Sequence, residues 1–460
     1  FQGKSKVKMM IGIDGEWGLF QRFSAAHKFP WAMTLGAIQD NSLIYEMTSK
    51  IAEDCKRMGI YWDFAPVVDV NTNPANPIIG NRSFGSDINN VIAKGLAYAQ
   101  GLQDNGVLAS MKHFPGHGDT DTDSHLDLPV VSHNLERLNS IELAPFKALL
   151  DKKIGGVMVA HLYVPALEKQ SGIPASVSYD IITNLLKKSY QYNGLIITDA
   201  LNMNAVAKKF PAGELDLRAF KAGNDIMLFS QDVPNGKALI KSALEKGEIS
   251  ENRLAESVKK ILKTKYLLGL QNLKSINSEN INEDLNNASH AELSEKLYSK
   301  AITLLKDEKN LLPLSCSETY YYLPLEEAPF QTFVENLNLG TTVKLISKNE
   351  IAQIPENSTV IVGFHKDNST AYKPYKISQE SKDILAELSK KQNVILDVFG
   401  SPYALKDVDI STISTVLVSY ENNDLSLKAS AKAILGKTKI SGKLPVIVNE
   451  NLKAGSGIEK

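Results

Sequence analysis

Cysteine is nearly absent from this 460-residue chain, which has only Cys55 and Cys316. Two thiols cannot build a disulfide-rich scaffold or a four-thiolate zinc site, and both are read as free packing residues. Long hydrophobic runs are missing as well. No stretch reaches the roughly 18 to 20 apolar residues that cross a bilayer, so a transmembrane helix is not expected. Neither sign of charge is in surplus: Lys plus Arg total 51 and Asp plus Glu 52, a formal net charge of −1. Without a cationic excess, nucleic acid is not expected as a partner. Nucleotide loops are lacking too, since Gly116-His117-Gly118 fits neither the G-x-G-x-x-G nor the P-loop pattern. What remains, 43% hydrophobic and 22% charged, is the composition of a folded globular protein.

The first 270 residues repeat a short apolar run followed by a helical stretch. Strands are expected over 7–14, 61–68, 107–113, 156–161, 195–199 and 225–229, with helices near 41–58, 88–105, 134–150, 178–190 and 234–246. Apolar strands alternating with helices indicate a parallel sheet covered by its crossovers. The expected fold class is α/β: a (β/α)8 TIM-like barrel followed by an α/β/α sandwich domain. Only six strands are visible where a closed barrel has eight, so the barrel's first strand is expected to be missing from this chain. Residues 250–268 read as a long amphipathic helix with Ser250 at its start and Gly269 as its stop. The expected domains are a catalytic barrel over 1–270, a linker over 271–298 and a sandwich over 299–460. In the last of these, a smaller parallel sheet is expected from strands near 320–325, 342–346, 359–363, 394–399 and 415–418.

The polar residues at the strand ends carry the chemical signal. Asp14, His113, His161 and Asp199 each close an apolar run, and in a barrel the C-terminal strand ends form the mouth where catalytic groups sit. The densest segment is 112–125, KHFPGHGDTDTDSH, with three His and three Asp residues on a stretch whose Pro and Gly exclude continuous helix or strand. It reads as a metal loop, as an ordinary polar loop, or as an acid–base loop. The last needs a His with a carboxylate to fix its tautomer, and Asp123-Ser124-His125 supplies both. Asp199 directly after the run Leu195-Ile196-Ile197-Thr198 is either a helix N-cap or a nucleophile. Asp14, Glu16, Arg22, Asp69, Arg82, Lys112 and His113 add the mixture of carboxylates and cationic donors that a sugar's hydroxyls and amide require. Trp17, Trp31 and Trp62 read as core or as walls of a sugar subsite.

Taken together, these motifs resemble glycoside hydrolase family 3, and within it the bacterial β-N-acetylglucosaminidases. The resemblance runs from Ile13-Asp14-Gly15-Glu16 through residues 64–70, Asn81-Arg82-Ser83-Phe84-Gly85, 112–129 and Ile197-Thr198-Asp199-Ala200-Leu201. It continues in 299–305, Leu311-Leu312-Pro313-Leu314 and Gly442-Lys443-Leu444-Pro445-Val446. It implies that Asp199 is the nucleophile, that His125 is the acid/base paired with Asp123, and that Asp14, Arg22, Arg82, Lys112 and His113 bind the sugar. The family's β-glucosidases draw a Glu acid/base from the second domain or beyond, so the Asp-Ser-His loop points to the N-acetylhexosaminidase branch. The family's Asp-Gln-Glu-Gly-Gly-Arg start reads here as Asp14-Gly15-Glu16-Trp17-Gly18-Leu19, which loses the Arg while Arg22 remains.

The implied activity is retaining, exo-acting removal of terminal β-linked N-acetylglucosamine, with peptidoglycan-derived muropeptides or small oligosaccharides as substrate. The implied location is the bacterial periplasm or cell envelope ahead of the cytoplasm. No cofactor and no metal are expected. The alternatives are a β-glucosidase or another exo-glycosidase of the family, a β-N-acetylglucosaminide phosphorylase, and a non-catalytic sugar-binding protein.

Overall fold

The computed structural model describes residues 2–122, 127–370 and 373–460. Its internal contacts divide the chain into two compact units. Unit 1 comprises residues 1–28, 42–79 and 91–287, and unit 2 comprises 29–41, 80–90 and 288–460.

Unit 1 is built on five parallel strands that lie side by side in chain order: β1 (Gly12–Ile13), β2 (Trp62–Asp63), β3 (Leu108–Phe114), β4 (Gly156–Val159) and β5 (Leu195–Thr198). Helices such as Ser42–Arg57 and Ile88–Asp104 make the crossovers, as parallel pairing requires. This is the strand order of a (β/α)8 barrel, and among the described residues the sheet does not close on itself. The sixth expected strand, at 225–229, reduces to a single parallel bridge between Ile197 and Ile226, and Phe229 leaves the extended region with φ 50°.

Alternation along the strands builds the interior. Trp62, Phe64, Leu108, Met158, Leu195 and Ile197 form one buried cluster, and the Trp62 indole N–H donates to Ser110 Oγ at 2.7 Å. With a side-chain period of two, the face of 108 and 110 continues to Lys112, and that of 195 and 197 to Asp199. A register shift between Met111 and Phe114 in the β3–β4 pairing then re-aims the end of β3. The expected helix over 134–150 is two, Leu135–Ser140 and Ala144–Leu150, because Pro145 has no N–H for a continuous ladder. The helix expected over 250–268 spans Glu251–Leu267; Ser250 caps it by accepting from the Arg253 N–H, and Gly269 follows in the left-handed conformation.

Unit 2 holds a second sheet of β6 (Thr303–Asp307), β7 (Thr319–Leu325), β8 (Thr342–Leu345), β9 (Thr359–His365), β10 (Asn393–Phe399) and β11 (Thr415–Val418), in the order β6-β11-β10-β9-β7-β8. The sheet is mixed, not purely parallel as expected, since β6 pairs antiparallel with β11 at one edge. Phe333 and Leu337 of helix Gln331–Leu337 pack with Leu427 and Ile434 of helix Asp424–Ile434 on its core. The stretch expected as linker carries helices at Ile281–Leu285 and Ala288–Ala301.

Segments 29–41 and 80–90 join unit 2 through specific contacts. The buried Glu421 carboxylate accepts the Trp31 N–H at 2.8 Å and the Thr34 hydroxyl at 2.7 Å, and its other oxygen accepts from Tyr298. Gly85, at φ 136°, passes so close to Pro445 that a Cβ would stand 2.1 Å from its carbonyl oxygen. No helix among the described residues is long and apolar enough to cross a membrane.

Candidate active site

The C-terminal ends of β1, β3 and β5 bring Asp14, Lys112, His113 and Asp199 into one electrostatic cluster in unit 1, which Arg22 joins through Asp14. Asp14, just beyond β1, accepts from Arg22 Nη2 at 2.6 Å and from Lys112 Nζ at 3.0 Å. Lys112 is 1% exposed and also pairs with Glu16 at 2.8 Å, so one buried ammonium serves two carboxylates. Burial pushes the Asp14 carboxyl up and Glu16 adds to that, but the Lys112 ammonium and the Arg22 hydrogen bond outweigh both and hold it below its ordinary value.

Beneath this group lies Asp63 on β2. Its Oδ1 accepts the Gly15 N–H at 2.9 Å, whereas Oδ2 finds no hydrogen-bond partner among the described residues. Full burial raises this carboxyl to about 7, against the pull of Lys112 and the Gly15 N–H and with the help of Asp14 and Glu16. Glycine at position 15 suits the close approach, because a Cβ there would meet both Asp63 oxygens at 3.1 Å.

His113 stands at the end of β3 with Nδ1 2.7 Å from Asp69 Oδ2. Asp69 also accepts the backbone N–H groups of His113 at 3.2 Å and of His117 at 2.7 Å. A carboxylate accepts only, so Nδ1 of His113 carries the hydrogen. Burial pushes Asp69 up, but the facing His113 and His117 rings and the donated N–H hold it below its ordinary value. The His117 ring is lowered to about 4 by its own burial and by His113, and its Nδ1 lies 2.7 Å from Thr120 Oγ1.

Asp199 directly follows β5. Its backbone N–H donates to the Val159 carbonyl at 2.8 Å, and its Oδ1 accepts the Ala200 N–H at 2.8 Å. Burial would raise the carboxyl, yet His113, His161, the Ala200 N–H and Lys112 together hold it below the ordinary value, so it is ionised at neutral pH. His161 at the end of β4 is fixed between Ser176 Oγ, 2.7 Å from Nδ1, and the Ala200 carbonyl, 3.0 Å from Nε2. Of the two readings of Asp199, the N-cap finds no support, since the next helix, Asn204–Ala207, has Met203 at its N-cap.

Asp14, Arg22 and Lys112 are in direct contact, and His113 and Lys112 both act on Asp199. Arg82 is buried at the end of the turn Gly80–Arg82, within unit 2. Asp123 and His125 lie outside the described residues. The part of Asp63 was missed, and so was the pairing of Asp69 with His113. A signal existed for the first, because an acid inside the run Tyr61-Trp62-Asp63-Phe64 has to be explained by a partner.

Comparison with known proteins decides the family. Residues 1–264 match the model of the glycosyl hydrolase family 3 N-terminal domain. β-Hexosaminidase A of Pseudoalteromonas piscicida is 32% identical over 97% of this chain and 84% of its own length. The chain belongs to glycosyl hydrolase family 3. A family 3 β-N-acetylglucosaminidase from Paenibacillus superposes with a TM-score of 0.77 at 31% identity, covering 96% of this chain and 86% of that one. β-Hexosaminidase LpqI of Mycobacterium tuberculosis is 35% identical over 56% of this chain and 68% of its own. The family fold is a TIM-like barrel with an α/β sandwich, which the parallel sheet of unit 1 and the mixed sheet of unit 2 match.

Proposed function

We propose that this family 3 protein is a retaining, exo-acting β-N-acetylhexosaminidase that removes terminal β-linked N-acetylglucosamine. The observation that carries the reading is Asp199: a carboxylate at a strand end, kept ionised against its burial by His113 and His161 and, with them, the Ala200 N–H and Lys112. Asp199 attacks the anomeric carbon while His125 gives a proton to the departing oxygen, forming a covalent glycosyl-enzyme. The neutral His125 imidazole then takes a proton from water, whose attack releases the sugar with its β configuration retained. Asp123 fixes the His125 tautomer and stabilises its imidazolium. Asp14, Arg22, Lys112 and His113 hold the sugar's hydroxyls and acetamide.

The relatives' names, β-hexosaminidase and β-N-acetylglucosaminidase, support the choice of sugar. Peptidoglycan-derived muropeptides are the proposed natural substrate, and the periplasm or cell envelope, ahead of the cytoplasm, is the proposed location. The test is sugar release from chromogenic β-N-acetylglucosaminide and β-glucoside, each with and without inorganic phosphate. The expected result is release of free N-acetylglucosamine whether or not phosphate is present. Preference for the glucoside, or a sugar phosphate as product, would overturn the reading.

A further inference from the structure

His161 lies just beyond β4, wholly buried, and no step of the proposed reaction uses it. Its ring is fixed from two sides. On one side the chain returns alongside it, the Ala175 N–H donating to the Leu162 carbonyl at 2.7 Å and the Ser176 N–H to the Ala160 carbonyl at 3.1 Å. These bonds set Ser176 Oγ 2.7 Å from His161 Nδ1. Behind Ser176, the buried Asn224 donates from Nδ2 to the Ser176 carbonyl at 2.9 Å and to the Ala219 carbonyl at 2.8 Å. On the other side, His161 Nε2 lies 3.0 Å from the Ala200 carbonyl oxygen. A carbonyl only accepts, so Nε2 carries the hydrogen, and in the neutral ring Nδ1 accepts from the Ser176 hydroxyl.

Ala200 connects this ring to Asp199. Its N–H donates to Asp199 Oδ1 at 2.8 Å and its carbonyl accepts from His161, so the residue is held on both sides of its Cα. The Met203 N–H, 3.0 Å from the same carbonyl, uses the second lone pair and closes the turn. The Asp199 N–H anchors that residue's backbone on the Val159 carbonyl at 2.8 Å, while the Ala200 N–H anchors its carboxylate. We propose that His161 is a positioning residue for the nucleophile: by holding the Ala200 carbonyl it fixes the Ala200 N–H, and through that N–H the Asp199 carboxylate, in line with the anomeric carbon. The proposal rests on Asp199 as nucleophile. It adds an orienting role to the charge effect of His161 on Asp199.

The test compares kcat/KM on N,N′-diacetylchitobiose, whose leaving oxygen needs a proton, and on the 2,4-dinitrophenyl N-acetylglucosaminide, whose leaving group does not. Attack by Asp199 belongs to the transition state of both. His161→Ala should therefore lose about 10- to 100-fold on both alike, the scale on which a misplaced reacting group acts. The inhibition constant of N-acetylglucosamine should stay at its wild-type value, because the Asp14–Lys112–Arg22 group is untouched. His161→Gln, whose amide still offers an Nε2 donor, should recover most of the loss. Ser176→Ala, which leaves the ring without its Nδ1 partner, should lose less than His161→Ala and add nothing in a His161→Ala background, because both act through one group.

Wild-type kcat/KM in His161→Ala, a loss confined to the disaccharide, or a weakened inhibition constant that accounts for the loss would overturn the proposal. So would a His161→Gln variant no better than His161→Ala, or Ser176→Ala losses that multiply with those of His161→Ala. Should His161→Ala fail to fold, Ser176→Ala decides alone: an equal loss on both substrates supports the proposal, and wild-type activity overturns it. An active Asp199→Ala would overturn the nucleophile reading and this proposal with it. An inactive Asp199→Ala beside a fully active His161→Ala would overturn this proposal only.

Discussion

Replacing Lys112 by Met removes one buried ammonium that pairs with two carboxylates. Lys112 Nζ is 3.0 Å from Asp14 and 2.8 Å from Glu16, and the Glu16 side chain is 6% exposed. Breaking a buried ion pair by removing one partner costs about 3–5 kcal/mol, because the other charge stays desolvated. Asp14 keeps Arg22 at 2.6 Å and is 21% exposed, so the larger share of the loss falls on the more buried Glu16. The loss should therefore fall at the lower end, about 3 kcal/mol.

Its pH dependence carries a definite sign. Asp14 is lowered from 3.8 in the wild type, so its ion pairs contribute stability that is present above 3.8 and lost as pH falls through the lowered value. The variant has less of that contribution to lose, and the two stability curves should converge on acidification. Urea unfolding followed by tryptophan fluorescence, repeated from neutral pH downward, measures both. Adding Glu16→Gln to Lys112→Met should recover part of the loss. A deficit that is the same at every pH, or a double variant no better than the single one, would refute the argument.

Glu421→Ala deprives the Trp31 N–H, the Thr34 hydroxyl and the Tyr298 hydroxyl of a common acceptor and should cost about 3 kcal/mol in thermal unfolding. Glu421→Gln, which keeps one acceptor oxygen, should cost less, and equal losses would contradict this. Asp63→Asn keeps an acceptor for Gly15 but cannot ionise. The raised Asp63 carboxyl contributes stability in full below 3.8 that is lost as pH rises to about 7, so the variant should gain on the wild type across that window and level off above it. A stability difference with no pH trend would refute the assignment.

The parts of this molecule that follow from local pattern were readable from the sequence. Apolar runs ending in Asp14, His113 and Asp199 gave both strands and mouth, because a period of two carries an interior face from 108 and 110 to Lys112 and from 195 and 197 to Asp199. The Ser250 cap and the Gly269 stop were local signals of the same kind. What escaped depends on distant partners. Residues 29–41 join unit 2 through Glu421, about 390 positions away in sequence, and 80–90 through Pro445. The antiparallel β6 is five residues long and follows a helix directly, so nothing in its composition sets its direction. Asp69 showed its strand-end position in the sequence, but its three contacts to His113 and His117 exist only once the end of β3 lies beside the chain that follows β2.

The central claim is that Asp199 forms a covalent bond to the sugar. A 5-fluoro N-acetylglucosaminyl fluoride slows both steps through its ring fluorine and speeds the first through its leaving group, so the intermediate accumulates. Intact mass spectrometry should show the protein heavier by one fluorosugar, and peptide mapping should find the label on Asp199. Asp199→Ala should remain unlabelled and inactive. Turnover of substrate with no adduct, or an adduct on any other residue, would contradict the account.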